Sequence, residues 1–403
     1  MTVRVNKPAI NVREELADLR KPTGIAGEAM LRAETPQEQF NLIGAGRRNL
    51  VINGGMNVAQ RGTSVTGFGG GSDAYTTVDR WKFDLNSTMA GRMTIEQVDD
   101  SPNGISGKSL KISCTTADTS IGSAERVQIQ QRFEGQNLQS IGKGTPDAKP
   151  ITVSFYVKAN ASFTYGLELY DGDNGRQITK LFTTTTEWNR IELTFPADTT
   201  GAFDNDNNNS LYLLFAIHAG TNYTGGTLNS DAWAPAVSAN RAAGIDSFYS
   251  STDNELFITG VQLELGKVAT PFEHRSYGEE LNLAQRYFQR FPSSDQADGG
   301  AYAGIGGFGN CISTTDFSTS ISLPVTMRVE PTMSPSASGT FRVYHENTNT
   351  VVTTAPVIID PYSSVSQVHI RSVVGSAALT VGNGGQLQQS NDNDAHISLD
   401  SEL

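Results

Sequence analysis

The sequence predicts a mainly β protein: an antiparallel, jelly-roll-like β-sandwich, a second C-terminal β-domain, and short helices at the N-terminus and between the domains. Short runs of alternating apolar and polar residues recur between clusters of Gly, Asn, Asp and Ser, which is typical of antiparallel strands and not of βαβ units. The composition agrees, because 40 residues are glycine and only 18% are charged. A length of 403 residues suffices for two or three domains.

We divide the chain into a docking arm (1–48), the sandwich (49–275), a linker helix (276–291) and the C-terminal β-domain (292–403). Apolar spacing in the arm predicts two short helices, the second starting with the capping box Thr35-Pro36-Gln37-Glu38. Neither helix is long enough to be stable alone in water, so the arm is predicted to dock on a partner that it anchors to. The anchoring residues are predicted to be Val12, Leu16, Leu19, Phe40 and Ile43. A packed or domain-swapped extension of the sandwich is the alternative.

Alternating apolar sets predict the sandwich strands, each with one buried face. The first and last strands are predicted at Asn49–Met56 and Glu255–Leu265. The strands between them are predicted from these sets: Trp81, Phe83 and Leu85; Leu110, Ile112 and Cys114; Val127, Ile129 and Phe133; Ile151, Val153, Phe155 and Val157; Phe163, Tyr165, Leu167 and Leu169; Ile191, Leu193 and Phe195; Leu211, Leu213, Phe215 and Ile217. Asp171-Gly172 and Asn174-Gly175 favour a hairpin turn over a metal site.

The last third of the chain is predicted to begin with a helix and continue as strands. Leu281, Ala284, Tyr287 and Phe288 lie at helical spacing, and Phe291 extends the same stripe. Apolar runs around residues 320–325, 341–344 and 368–373 alternate with turn residues. They predict the second β-domain, which could serve as a receptor-binding tip or as a trimerisation module.

Charge and composition exclude several classes of function. The net charge of −12 argues against nucleic-acid binding, which needs clustered Lys and Arg. No export signal and no run of about 18 apolar residues is present, so we expect a protein that folds in a cytoplasm without membrane insertion. Cys114 and Cys311 fall in different predicted domains and are expected to be buried free thiols.

No motif in the chain predicts a cofactor, a metal or a catalytic site. Gly304–Gly309 matches G-x-G-x-x-G, but the residues after it favour a strand instead of the helix that a dinucleotide needs. The five histidines show no zinc-site spacing. Asp204-Asn205-Asp206-Asn207 begins like a calcium loop, yet Asn209 and Phe215 occupy the positions of the required Gly and Glu, so a turn is favoured.

One group of side chains indicates a binding surface. If the cleanest strands bury their apolar sets, their opposite faces expose aromatic and charged residues together. These residues are Tyr156, Lys158, Glu168, Tyr170, Arg190, Glu192, Tyr212 and His218. Sugars stack on flat aromatic rings and bind charged or amide groups through their hydroxyls, so the set predicts a glycan-binding face. The alternative is that these residues face the second domain or a neighbouring subunit.

Five parts of the sequence resemble tail-fibre and appendage proteins of tailed bacteriophages, particularly those of marine cyanobacteria. They are the two predicted terminal strands of the sandwich, Asp79-Arg80-Trp81, Ala269–Arg275, and Tyr277–Phe288. The sandwich also resembles carbohydrate-binding modules whose first strand contains Asn-Leu-Ile-x-Asn-Gly. Such modules often hold calcium with acidic residues of the last strand, where this chain has Thr259-Gly260, so calcium is not carried over.

The resemblance implies a non-enzymatic virion appendage, homotrimeric and assembled in the host cytoplasm. Its N-terminus would attach to the tail or capsid, and its exposed domains would bind host-surface polysaccharide through several weak sites at once. A capsid decoration or adaptor protein without receptor binding is one alternative. An enzyme that degrades surface polysaccharide is another, but the chain lacks the repeat of a β-helix and any recognisable catalytic spacing.

Overall fold

The computed structural model of this chain describes residues 30, 32, 48–86, 88–105, 107–291, 303–359, 362–392 and 394–403. These residues form a mainly β fold with a sandwich, a closed barrel and a small sheet, which confirms the predicted fold class. The five predicted anchor residues, Val12, Leu16, Leu19, Phe40 and Ile43, lie outside the described residues, so the anchor stays a prediction.

Two antiparallel sheets make the sandwich. The six-stranded sheet has the order β1 (Ser64–Gly69), β4 (Arg92–Val98), β5 (Ser109–Thr116), β13 (Glu255–Leu265), β7 (Ile151–Ala159) and β10 (Asn189–Phe195). The seven-stranded sheet has the order β12 (Ala234–Pro235), β9 (Arg176–Thr183), β8 (Thr164–Asp171), β11 (Asn209–Ala219), β6 (Arg126–Glu134), β3 (Lys82–Asn86) and β2 (Asp73–Tyr75). The predicted alternating sets face one core between the sheets that includes Phe155, Leu167 and Phe215, with Phe163, Ile191 and Leu193 only partly buried at its edge.

The predicted first strand is wrong. Residues 49–56 are not a β-strand, although most of them are buried beside β13. Asn49 takes the place of a ladder residue, because its side chain donates to the carbonyl of Val261 and accepts from the amide of Leu263. Asn53 and Met56 both have φ of 58°, a left-handed conformation that interrupts a strand. Alternation alone did not reveal these side-chain bonds.

The linker helix is shorter than predicted. A four-residue helix, α1 (Thr221–Thr224), precedes it in the sandwich, and the linker helix α2 spans Tyr277–Gln285. Ser276 starts α2 with a capping box to Glu279. The residues after Gln285 leave the helix, and β14 (Phe288–Phe291) pairs with β22 (Ile397–Asp400). These two strands lie more than a hundred residues apart in the sequence, and their pairing decides the local conformation. The helical spacing of Phe288 and Phe291 was therefore misleading.

The C-terminal part contains the predicted β-domain. The closed barrel has the order β15 (Gly304–Cys311), β16 (Asp316–Ser322), β20 (Gln367–Val374), β19 (Thr348–Ile358), β18 (Phe341–His345) and β21 (Gly384–Gln389). The small sheet has the order β14, β22 and β17 (Thr332–Pro335). Barrel and small sheet share a second apolar core around Phe317, Phe341 and Leu399. The Gly304–Gly309 motif lies in strand β15, which continues to Cys311 and is followed by a turn, so the residues after the motif form a strand and a turn as predicted.

Both cysteines are buried and unpaired, as the sequence predicted. Burial raises the pKa of Cys114 to about 11 and also raises that of Cys311, so neither thiol is a ready nucleophile. None of the helices in the described ranges has the length and apolar character to cross a bilayer.

Candidate functional site

The strand order divides the predicted binding residues between two opposite faces. Tyr156, Lys158 and Arg190 lie on β7 and β10 of the six-stranded sheet, with Glu192 beside them. Glu168, Tyr170, Tyr212 and His218 lie on β8 and β11 of the seven-stranded sheet. The neighbours of these residues along each strand point into the shared core, so the two groups point away from each other. The expectation of one common surface is wrong, because alternation shows which residues are opposite the core but not which sheet a strand joins.

Glu168 and His218 are fully buried, so the prediction that they are exposed is also wrong. Arg241 binds both carboxylate oxygens of Glu168, at 2.8 and 3.0 Å. The His218 ring lies 2.7 Å from the Ser247 hydroxyl and 3.3 Å from a carboxylate oxygen of Glu125. Burial lowers the pKa of His218 and favours the neutral ring. The chain between β11 and β13 covers this end of the sheet, and both residues hold that covering segment.

The two tyrosines form the centre of a cross-strand row. Tyr170 and Tyr212 are direct partners on β8 and β11, and their rings lie 5.4 Å apart at 75°. Arg132 of β6 is the partner of Tyr212 on the other side and places its guanidinium 5.0 Å from that ring. Gln177 of β9 is the partner of Tyr170. We call Arg132, Tyr212, Tyr170 and Gln177 the tyrosine row.

The tyrosine row combines two partly exposed rings with one amide, that of Gln177, that has no hydrogen-bond partner among the described residues. Tyr170, Tyr212 and Arg132 are each partly exposed. Gln177 is fully buried, and neither polar atom of its amide has a partner among the described residues. A buried amide without partners costs about 1–3 kcal/mol, so a ligand or water that reached it would recover that energy.

The neighbouring row supplies polar groups whose charges are matched. The Gln130 amide donates to Asp84 at 3.0 Å. Arg126 lies 2.9 Å from each oxygen of the same carboxylate. With Glu168 paired to Arg241 as well, this face presents arginine and amide groups without a strong net charge. Such a face suits a neutral, hydroxyl-rich ligand better than a polyanion.

The opposite face carries a smaller aromatic group that sequence reasoning missed in part. Trp188, just before β10, donates from its indole to Asp100 at 3.0 Å. Lys158 lies 5.2 Å from the Trp188 ring and 4.6 Å from the Phe257 ring. Burial raises the pKa of Asp100, but the hydrogen bonds from Lys158 and Trp188 outweigh it and lower that pKa below its usual range. Lys158 is therefore engaged within the protein, as is Arg190, which donates to the carbonyl of Thr270.

The segments that resemble phage appendages converge on a structural junction and not on a binding face. The Asn53 amide donates to the carbonyls of Val58 and Asp79, and the Trp81 indole donates to the Asn53 carbonyl. Glu273 accepts from the amides of Arg48 and Asn49, at 2.6 and 2.8 Å. These bonds fix residues 48–58 between β13 and α2.

The same junction continues to the small sheet, next to β14 and β22. Glu134 of β6 is fully buried and accepts from Arg286, at 2.7 and 2.6 Å, and from the Tyr287 hydroxyl at 2.5 Å. Arg80 pairs with Glu402 and places its guanidinium 3.5 Å from the Tyr287 ring. Short motif matches could not show that these residues meet, because they lie up to 322 positions apart.

No group of three or more His, Cys, Asp or Glu side chains is placed to hold a metal ion within the described ranges. Asp204 and Asp206 lie in a turn, where Asp206 accepts from the amide of Asn208 at 2.9 Å. Asp171 ends β8 in the predicted hairpin and binds Lys143 at 2.5 Å. Gly260 has φ of 60° at an irregularity in β13.

Comparisons with known proteins find only distant structural likenesses. No protein-family profile matches this chain, and no curated protein matches it. It is similar to a carbohydrate-binding module solved with β-1,4-galactotriose, at 11% identity and a TM-score of 0.28, over 54% of this chain and 99% of that one. It is similar to a family 11 carbohydrate-binding module from Clostridium thermocellum, solved with a mixed-linked tetrasaccharide, at 13% identity and a TM-score of 0.25, over 53% and 98%.

A phage protein is also among these neighbours. The chain is similar to the enzymatically active domain of tailspike protein 4 of bacteriophage CBA120, at 12% identity and a TM-score of 0.29. The likeness covers 54% of this chain and 21% of that one, so this chain spans about a fifth of that tailspike structure. The neighbours thus include carbohydrate-binding modules and a tailspike domain, but at these scores no function is transferred from them.

Proposed function

We propose that this chain is a non-enzymatic glycan-binding protein and that the tyrosine row is its binding site. The observation that carries the proposal is the in-register pair Tyr170–Tyr212, flanked by Arg132 and Gln177. Pyranose rings stack their C–H faces on aromatic rings, while guanidinium and amide groups bind their hydroxyls. The 75° angle between the two rings offers two stacking planes, which suits a bent or branched oligosaccharide better than a flat one.

Binding rather than catalysis is supported by the state of the nearby carboxylates. Asp84 and Glu168 are each held in an ion pair with an arginine, at 2.9 and 2.8 Å. A glycoside hydrolase needs two carboxyl groups that flank the bond it cleaves, whereas these two face arginine side chains. Paired in this way, these two groups serve as fixed hydrogen-bond acceptors.

We further propose that the protein works as an appendage of a tailed-phage virion. In this proposal residues 1–48 attach to the tail or capsid, copies associate as a homotrimer, and the exposed β-domains bind polysaccharide on the host surface. The sequence resemblance supports this role. Three copies of a weak site would bind a repetitive polysaccharide far more tightly than one, because later contacts form within the same complex.

Glycan binding by the full chain tests the site. Purified host-envelope polysaccharide is titrated against wild type, Tyr170→Ala and Tyr212→Ala by biolayer interferometry. We expect each variant to weaken binding about tenfold or more, or about 1.4 kcal/mol. Tyr156→Ala is the matched control, since it removes a half-buried tyrosine from the opposite face. Equal loss in all three variants, or loss in Tyr156→Ala alone, would overturn the assignment.

A deletion tests the virion role separately. Phage particles are assembled with full-length protein or with protein that lacks residues 1–48, and incorporation is measured by immunogold electron microscopy. The proposal expects incorporation to be lost with the arm while polysaccharide binding is retained. A protein that joins the particle through its arm but binds no polysaccharide would instead be an adaptor or decoration protein.

A further inference from the structure

The barrel carries its own exposed aromatic surface, separate from the sandwich. Phe308 on β15 is 85% exposed, and Tyr344 on β18 is 38% exposed. Strand register brings them together, because Phe308 and Tyr344 are both direct partners of Gln386 on the intervening strand β21. The next outward row places Gln388 of β21 beside Arg342 of β18. We call Phe308, Tyr344, Gln386, Gln388 and Arg342 the Phe308 surface.

Glycines keep this surface open. Gly306 and Gly307 precede Phe308 on β15, so no side chain of its own strand shields the ring on that side. A Cβ atom at Gly304 would lie 2.3 Å from the Gln386 amide nitrogen, so glycine there makes room for that amide across β15. Glycine weakens a strand unless something must approach it closely.

Hydrogen bonds orient the polar side chains around the two rings, and of these side chains only Arg342 is charged. Arg342 donates to the Gln388 carbonyl oxygen at 3.1 and 2.7 Å, and Gln388 donates in turn to Gln386 at 3.0 Å. Within the described part of the chain, the Gln386 amide nitrogen donates to no protein group, so the chain of amides ends in a free donor next to Phe308.

We propose that the Phe308 surface binds a neutral, pyranose-containing oligosaccharide. The rings provide stacking planes for C–H faces, and the ordered amides provide donors and acceptors for hydroxyls. The surface is too small for a stable protein partner: two aromatic side chains bury about 150–250 Å² each, whereas a specific protein interface buries about 800 Å² per partner. The near absence of charge also matches a neutral ligand.

This site goes beyond the proposed function, since it lies on another domain and can be tested independently of the tyrosine row. With both sites present, one chain could hold a polysaccharide at two points. The effective concentration of the second contact would then strengthen attachment beyond either site alone.

The test uses the full chain carrying Tyr170→Ala and Tyr212→Ala as the reference chain, so that the tyrosine row does not contribute to binding. Cello-, galacto-, manno- and xylotetraose are titrated by saturation-transfer difference NMR, with and without Phe308→Ala. We expect at least one of these neutral probes to bind the reference chain, and its association constant to fall at least tenfold in the Phe308→Ala chain. Ile312→Ala is the control, because Ile312 is an exposed apolar residue on the same barrel but outside the surface.

Two results would overturn the proposal. One is that none of the four probes binds the reference chain. The other is that Phe308→Ala leaves probe binding unchanged. If Phe308→Ala leaves binding unchanged and also lowers the sedimentation coefficient, Phe308 contacts a second copy of the chain instead. Thermal melting of Phe308→Ala should match that of the reference chain, since an exposed side chain contributes little to folding.

Discussion

At the residue scale, we expect the buried ion pairs to matter most for stability, and Lys143 is the clearest case. Its side chain is almost fully buried, with the ammonium 2.5 Å from Asp171, 3.2 Å from Asp198, and 2.9 and 2.7 Å from the carbonyls of Thr200 and Gly201. Four oxygen atoms thus surround one built-in cation. The acidic turn is explained by this lysine, with no need for a metal.

Lys143→Met should destabilise the protein by about 3–5 kcal/mol, because it leaves Asp171 and Asp198 buried with part of their charge unmatched. Urea denaturation measures the change. Lys149→Met is the matched control, since Lys149 is exposed and its replacement should cost less than about 0.5 kcal/mol. Similar losses in the two variants would show that the buried cage contributes no more than a surface lysine.

At the scale of elements, the sequence predicted strands well wherever local alternation and burial agree. The sets around Phe155, Leu167 and Phe215 are strands because each buries one face in the same core. It failed where distant residues decide the conformation: Asn49 and Asn53 replace ladder bonds with side-chain bonds, and Phe288 pairs with Asp400. The candidate binding residues were selected by residue type, but their division between two sheets depends on topology that alternation does not contain.

Asn53→Ala should lower the free energy of unfolding by about 2–4 kcal/mol. The substitution leaves the carbonyl of Asp79 without its donor and the amide of Val58 without its acceptor, and it places alanine at a φ of 58°, which asparagine tolerates better. Chemical denaturation of the full chain gives the value. Asn86→Ala, at an exposed site, is the control and should change little; an equally small effect at position 53 would argue that residues 49–58 do not hold the sandwich together.

At the scale of the whole molecule, the junction connects the sandwich to the C-terminal β-domain, and each of them carries one of the two proposed binding surfaces. Besides the Glu134 and Arg80 pairs, Arg328 donates to the carbonyls of Asn207, Ser401 and Glu402, at 3.0, 2.8 and 3.0 Å. These bonds tie the segment before β17 to both the sandwich and the end of the chain. A fixed junction holds the tyrosine row and the Phe308 surface at a constant separation, which simultaneous binding to one polymer requires.

Glu134 gives the junction a defined dependence on pH. Burial raises the pKa of this carboxyl, but the bonds from Arg286 and Tyr287 outweigh burial and hold it below the usual value of 4.5. Because the folded pKa is the lower one, the pair stabilises the junction above about pH 4.5, and this contribution is lost as the pH falls through the folded pKa.

Glu134→Gln should therefore loosen the barrel from the sandwich at neutral pH and remove this part of the pH dependence. Small-angle X-ray scattering from pH 7 to pH 3 should show wild type expanding only as the pH falls below about 4.5, and Glu134→Gln already expanded at pH 7. Glu255→Gln is the control, since it neutralises the pairing of Glu255 with Lys111 at a more exposed site of the sandwich, away from the junction. If both variants scatter like wild type at every pH, other contacts hold the junction. If only Glu134→Gln is expanded, the buried carboxylate is what holds the two proposed binding surfaces at a constant separation.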